Sequence, residues 1–210
     1  MKLKRFRRLS VSALATFVVA GLLWAFSPVQ AVTAVWSLSD PARLATLGKR
    51  GANPRLNRIV YWLDDARRKG LDPTTAVDLV LTFQGVKGAR AELTRDSLLR
   101  NLRIADQLGL LTPDNRVRLQ RGAAAVVTVG PYRGEAAEVD HLVPVSLAPE
   151  LDTVLANLEM LPESLNRRKS NRVGERQWSL AEAFFEAGLL SRESMERVRA
   201  RMEGTPSRRR

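Results

Sequence analysis

The chain contains a single histidine, His141, and it directly follows an aspartate, Asp140. Asn157 lies 16 residues after that histidine, and Asn166 nine after Asn157. A carboxylate beside an imidazole offers a hard oxygen ligand for a divalent cation and a nitrogen that takes a proton near neutrality. Taken singly, each residue has an ordinary structural reading. A lone His is more often a core or surface residue, Asp140 can be a strand-end carboxylate, and the asparagines can be turn or cap residues. Their surroundings change the odds. Glu138–Pro144 alternates polar and apolar residues and breaks at proline, as a strand running into a loop does. Asn157 precedes Leu158–Leu161, a second short strand, and Pro162 opens ESLNRRKSNR, a basic helix that carries Asn166. A strand–loop–strand–helix unit folded back on itself would bring Asp140 and Asn166 together beside His141.

These residues sit in the frame DH-L-V-P, A-N-L and L-N-R-R-K-S-N, which resembles the HNH endonuclease motif. More narrowly, the frame is similar to the cysteine-free branch of that family, in which the third position is Asn. The resemblance spans residues 133–177 and implies an α+β fold, a mostly helical domain carrying a ββα-metal finger. It implies a metal-dependent endonuclease that hydrolyses phosphodiester bonds of nucleic acid, with DNA cut at low sequence specificity. Asp140 and Asn166 would ligate one Mg²⁺ or another divalent cation, with water and the scissile phosphate completing its shell. The cation would neutralise charge on the phosphate and stabilise the leaving 3′-oxygen. His141 would take the proton from the attacking water. Asn157 would stay off the metal and hydrogen-bond across the loop, holding the histidine strand in register. Many family members brace the finger with CxxC pairs around zinc. This chain has no cysteine, so no structural zinc is expected and the surrounding helices must do the bracing.

Arg167, Arg168 and Lys169 follow Asn166, with Arg172 and Arg176 beyond, and Arg133 precedes the first strand. Such cations can grip phosphates without reading sequence, although charge runs are commonly solvated helix faces. Tyr132 is the one aromatic residue close to the motif, so no platform for stacking bases is expected.

The elements that must hold this unit are helical. Leu56, Ile59, Val60, Leu63 and Ala66 recur at helical spacing within 52–70, ending in Arg67-Arg68-Lys69 and a terminal Gly70. Asp72-Pro73 predicts a capped helix to about Gln84, Thr94 a cap for a third helix ending at Gly109, and Thr112-Pro113 a short helix to about Gln120. The β-branched stretch Ala124–Val129 reads as a strand. Residues 179–201 read as two amphipathic helices broken at Gly188–Leu190, with Phe184, Phe185, Leu189 and Leu190 packing back on the core.

Met1–Arg8 carries five basic residues and no acid, and no charge appears between Leu9 and Ser39. The most apolar part, Leu9–Phe26, has 18 residues. That pattern fits a secretory signal, with Val29-Gln30-Ala31 or Val32-Thr33-Ala34 as cleavage points, or an uncleaved single-pass anchor, or a buried helix. In the first two cases the rest of the chain is exported across the cytoplasmic membrane, either secreted or periplasmic, or membrane-anchored through residues 9–30. The chain then divides into a signal or anchor (1–34), a helical segment (38–122), the ββα core (123–178), C-terminal helices (179–203) and a basic tail (204–210) expected to be disordered.

Composition limits the alternatives. A 210-residue chain with 45% hydrophobic and 27% charged residues is globular. The absence of cysteine excludes disulfides, thiolate metal sites and cysteine nucleophiles. The formal charge of +12 favours an anionic partner, but five of the 34 cations belong to the export segment. Two readings without catalysis stay open from residues alone: a nucleic-acid or envelope binding module that uses the finger as scaffold, and a basic membrane-associated structural protein.

Overall fold

The computed structural model describes residues 27–47, 51–169 and 172–204. The segment up to residue 26, read above as part of a signal or anchor, and the tail from residue 205 lie outside the described residues. The chain is mostly helical, with one small two-stranded antiparallel sheet. The helices are α1 (Val29–Ser39), α2 (Pro41–Leu44), α3 (Ala52–Arg68), α4 (Pro73–Phe83), α5 (Ala89–Gln107), α6 (Pro113–Gln120), α7 (Glu163–Lys169), α8 (Glu175–Glu186) and α9 (Arg192–Glu203). The strands β1 (Ala137–His141) and β2 (Leu158–Pro162) stand between α6 and α7.

Helix α3 is the spine of the first half. Leu56, Ile59, Val60 and Leu63 are fully buried, as their spacing predicts, and α1, α4, α5 and α6 all pack against it. It stops at Gly70, whose φ of +83° is the left-handed conformation that suits glycine. There the Gly70 N–H donates to the Arg67 carbonyl and the Leu71 N–H to the Ala66 carbonyl, the paired closure of a Schellman end. Asp72 then caps α4 by accepting from the Thr75 N–H at 2.9 Å, and Thr112 caps α6. Asp64, nearly buried on α3, is held by Arg67 at 2.8 Å and by Arg116 of α6, whose guanidinium also lies over the Tyr61 ring.

Four expectations change. Helix α5 begins at Ala89, behind Gly88, so Thr94 is an interior residue rather than a cap. Its hydroxyl donates to the Arg90 carbonyl one turn back. The polar first turns of α5 have no apolar stripe that would reveal the true start. The 124–129 segment is not a strand; it makes one isolated bridge, Val126 to Ala136. The Asn115 side chain takes both the N–H and the carbonyl of Val126, at 2.9 and 2.7 Å, and so occupies the groups a further strand would use. Phe184 and Leu190 are buried as anticipated, but Phe185 is exposed on the outer side of α8. The helical body, begun at residue 38 in the sequence reading, includes α1 from Val29. Ala31 and Val35 are in its core, and both candidate cleavage tripeptides lie within α1.

The strands pair in the register Asp140 to Glu159 and His141 to Leu158. A ribbon of two five-residue strands cannot be stable by itself, and here both outer edges are taken by helices. Asn101 of α5, fully buried, accepts from the Met160 N–H at 2.8 Å and donates to the Leu158 carbonyl at 3.0 Å. Ser97, one turn earlier, donates to the Leu155 carbonyl. On the other edge, Asn53 of α3 donates to the Val139 carbonyl at 3.0 Å. The ribbon therefore joins the helical core through Ala137, Leu158 and Met160. The loop between the strands packs against α8 and α9 in a second core around Phe184, Val143 and Leu151.

Replacing Asn101 with Ala leaves the buried Met160 N–H without its acceptor and the Leu158 carbonyl with only the Ser97 hydroxyl at 3.3 Å. A loss of about 2–4 kcal/mol is expected in urea unfolding of Asn101→Ala, far above that of an exposed Asn-to-Ala change.

Candidate active-site cleft

The cleft, with a volume of about 770 Å³, opens between the first turns of α3 and the β1–β2–α7 unit. One wall carries Asn53, Pro54, Asn57 and Gly122, and the other carries Glu138, Asp140, His141, Asp152 and Asn166. Three of the four motif residues thus line one space. The fourth, Asn157, is fully buried beneath it.

Asn157 is positioned by a short 3-10 turn, Leu155–Asn157, that leads into β2. Its Oδ1 accepts from the Val143 N–H at 2.8 Å and its Nδ2 donates to the Val143 carbonyl at 3.0 Å. Its own carbonyl accepts from the Leu142 N–H at 2.7 Å. The two residues after His141 are therefore tied to the start of β2.

His141 is only 11% exposed at its side chain, and its Nε2 lies 2.8 Å from the Asp152 carbonyl oxygen. A carbonyl can only accept, so Nε2 carries the proton and Nδ1 is left with the lone pair. The Asp152 carboxylate, 3.4 Å from the same Nε2, would stabilise the ring if it gained a second proton. Asp152 sits just after the 3-10 turn Pro149–Leu151, where the chain reverses between the strands. That turn is fastened to α9 by Glu150, whose carboxylate accepts from the Ser191 N–H at 2.8 Å and the Ser194 hydroxyl at 2.9 Å. Burial opposes ionisation of Glu150, but these hydrogen bonds outweigh it and hold the carboxyl down at about 2.

Asp140 and Asn166 face the cleft from β1 and α7. The Asp140 carboxylate is paired with the Lys169 ammonium at 2.7 Å, and Lys169 also donates to the His141 carbonyl. A cation therefore already neutralises this oxygen. Asn166 donates its Nδ2 to Glu138 at 2.7 Å, which orients the amide and leaves Oδ1 as an acceptor. Glu138 was not singled out in the sequence reading. Its place two residues before Asp140, on the same strand face, was the available signal. Asp152 was also missed, because no local pattern marks it within the loop between the strands, and Asn53 and Asn57 because they come from a helix remote in sequence. Asn53 Oδ1 and Asn57 Oδ1 are buried without a hydrogen-bond partner among the described residues, so the α3 wall presents acceptors.

The proposed phosphate-gripping cations do not line the cleft. Lys169 is engaged by Asp140 as described. Arg167 pairs with Glu163 one turn back, and Arg168 donates to the Ser164 carbonyl at 3.2 Å. Arg172 is exposed beyond α7, and Arg133 is exposed in the turn before β1. Arg176 pairs with Glu159, which also faces the half-buried Arg100. The Arg100 guanidinium is pushed down by burial, against the pull of Glu159. Among the described residues no group of three or more His, Cys, Asp or Glu side chains is arranged around a common metal position. A site of one carboxylate, one amide oxygen and solvent falls below that count.

Comparison with family models, curated proteins and solved structures found no match to this chain.

Glu150 makes the seat of His141 acid-sensitive. Its carboxyl titrates lower in the folded chain than the ordinary value near 4.3, so its stabilisation is complete above that value and disappears as pH falls towards 2. In urea unfolding, Glu150→Gln should lose about 1 kcal/mol against the parent chain at pH 6, and the gap should close progressively between about pH 4.5 and 2.

Proposed function

We propose that the chain is a divalent-cation-dependent endonuclease that hydrolyses phosphodiester bonds of nucleic acid, with DNA as substrate and little sequence preference. The observation that carries this reading is the 2.8 Å contact of His141 Nε2 with the Asp152 carbonyl oxygen, which assigns the proton to that nitrogen. A ring locked through Nε2 onto the Asp152 carbonyl has one free nitrogen, in a cleft shared with Asp140 and the Asn166 amide. This is the arrangement that a general base beside a metal-assisted phosphate site requires. The Asp140-His141, Asn157 and Asn166 frame, with its resemblance to the cysteine-free HNH motif, points the same way.

The donor set suits Mg²⁺ or a similar hard cation. Asp140 supplies a charged oxygen and Asn166 a neutral one, and a site with few protein ligands leaves room for water and phosphate oxygens. The Lys169 ammonium on Asp140 marks the same carboxylate as attractive to cations. The cation, when bound, supplies charge neutralisation at the phosphate and at the leaving 3′-oxygen. The chain's own residues do the rest. Asn157 keeps the loop after His141 closed, the Asp152 carbonyl holds the ring, and Nδ1 takes a proton from the attacking water. The Asp152 carboxylate then offsets the positive imidazolium. Glu138 fixes which atom of the Asn166 amide faces the cation.

The test is plasmid nicking by the full chain. Cleavage should require Mg²⁺ or Mn²⁺, stop with chelator, and fall by about 10²–10⁴-fold in His141→Ala with the fold intact by circular dichroism. Cleavage at full rate in that variant or in chelator would overturn the proposal, as would DNA retardation on a gel without cutting under any divalent ion. A second variant addresses the metal directly. Glu138→Ala should weaken Mn²⁺ binding by about 10–100-fold in calorimetry, whereas Glu138→Gln, which still accepts from Asn166, should retain most of it.

A further inference from the structure

We propose that the outer face of α1 and α4 lies against a lipid bilayer. The inference is independent of the nuclease reading. Of the seven large apolar side chains exposed among the described residues, four belong to these two helices: Val29 and Trp36 on α1, and Leu79 and Phe83 on α4. Val29 and Trp36 are seven residues apart, and Leu79 and Phe83 four apart, so each pair shares a helix face. The helices pack together, and their C-terminal ends are joined by Gln84, whose Nε2 donates to the Trp36 carbonyl at 2.9 Å and to the Ser39 hydroxyl at 3.0 Å. Phe83, the most exposed of the four at 68%, therefore stands next to the residue that bridges to Trp36.

Two exposed threonines on these helices need no water. Thr33 donates its hydroxyl to the Val29 carbonyl at 2.8 Å, and Thr82 to the Asp78 carbonyl at 2.7 Å. Their polar atoms are satisfied within the helices. Helix α1 has no charged residue, and the one charge on α4, Asp78, is paired with Arg95 of α5. This is unusual in a chain in which 27% of residues are charged. An uncharged, self-satisfied face with a Trp and a Phe at one end has the chemistry of a bilayer interface.

The sequence before α1 names the occupant. The 18 residues Leu9–Phe26 carry no charge and end three residues before Val29, and Met1–Arg8 carries five cations for the anionic leaflet. A membrane held by that run would be tethered three residues from Val29, the first residue of α1. Among the described residues no helix is long and apolar enough to cross a membrane, so this surface rests on the bilayer and does not span it.

The lack of cysteine makes a site-specific test direct. In the full chain, Phe83→Cys and, as a control, Val117→Cys on α6 are each labelled with an environment-sensitive fluorophore and reconstituted into phosphatidylcholine–phosphatidylglycerol vesicles. Val117 is also apolar and exposed, at 47%. The label at position 83 should shift to the blue and be quenched several-fold more by doxyl-bearing lipid than the label at position 117. Equal quenching at the two positions would overturn the proposal. So would shielding at position 83 that is insensitive to doxyl lipid and accompanied by disulfide cross-linking of the unlabelled Phe83→Cys chain, which would assign the face to a second copy.

Discussion

The site depends on two asparagines that take the place of missing strands. Asn101 and Asn53 each reach from a long helix to one outer edge of the β1–β2 ribbon, where a further strand would otherwise have to pair. A ribbon this short leaves backbone N–H and carbonyl groups that must be satisfied if its faces are to be buried. With both edges held by side chains, the ribbon can be packed into a helical core without a larger sheet or a metal cluster. The cysteine-free sequence thus has a structural counterpart: helix-borne amides brace the unit that carries Asp140 and His141.

A second layer of fastening sets the imidazole. Glu150 ties the turn before Asp152 to α9, the Asp152 carbonyl takes the Nε2 proton, and Asn157 ties the residues after His141 to β2. Each link is a hydrogen bond to backbone or a buried side chain, so the ring has little freedom. Asp140 and Asn166 have a different character. Their partners, Glu138 at the cleft wall and Lys169 behind Asp140, are charged, so an incoming cation or phosphate can compete with them. On the proposed reading, a firmly held imidazole beside exchangeable oxygen ligands suits a site that binds and releases ions and substrate.

The cleft wall and the α1–α4 face differ in chemistry. The cleft wall is built from amides, carboxylates and one imidazole, while the α1–α4 face is free of unpaired charge. Among the described residues, several cations lie on neither surface, including the exposed Arg133 and Arg172 and the paired Arg116 and Arg197.

Helix spans with a clear apolar stripe were legible in the sequence: α3, α4 and α6 fall where the periodicity of Leu56–Ala66 and the Asp72-Pro73 and Thr112-Pro113 caps put them. The two short strands and the helix bearing Asn166 were legible for the same reason, because alternation and proline breaks are local signals. The start of α5 was not, since Arg90 and Glu92 mark no face, nor was the irregular course of 124–129, because Asn115, eleven residues before Val126, takes the backbone groups of that residue. Residue type and spacing alone determined that Asp140, His141 and Asn166 had to be considered together. Only the tertiary structure decided which nitrogen of His141 is free, that Lys169 sits on Asp140 instead of reaching outward, and that Glu138 orients Asn166. Those outcomes follow from which donor meets which acceptor across segments distant in sequence, and that is set by packing that no local pattern encodes.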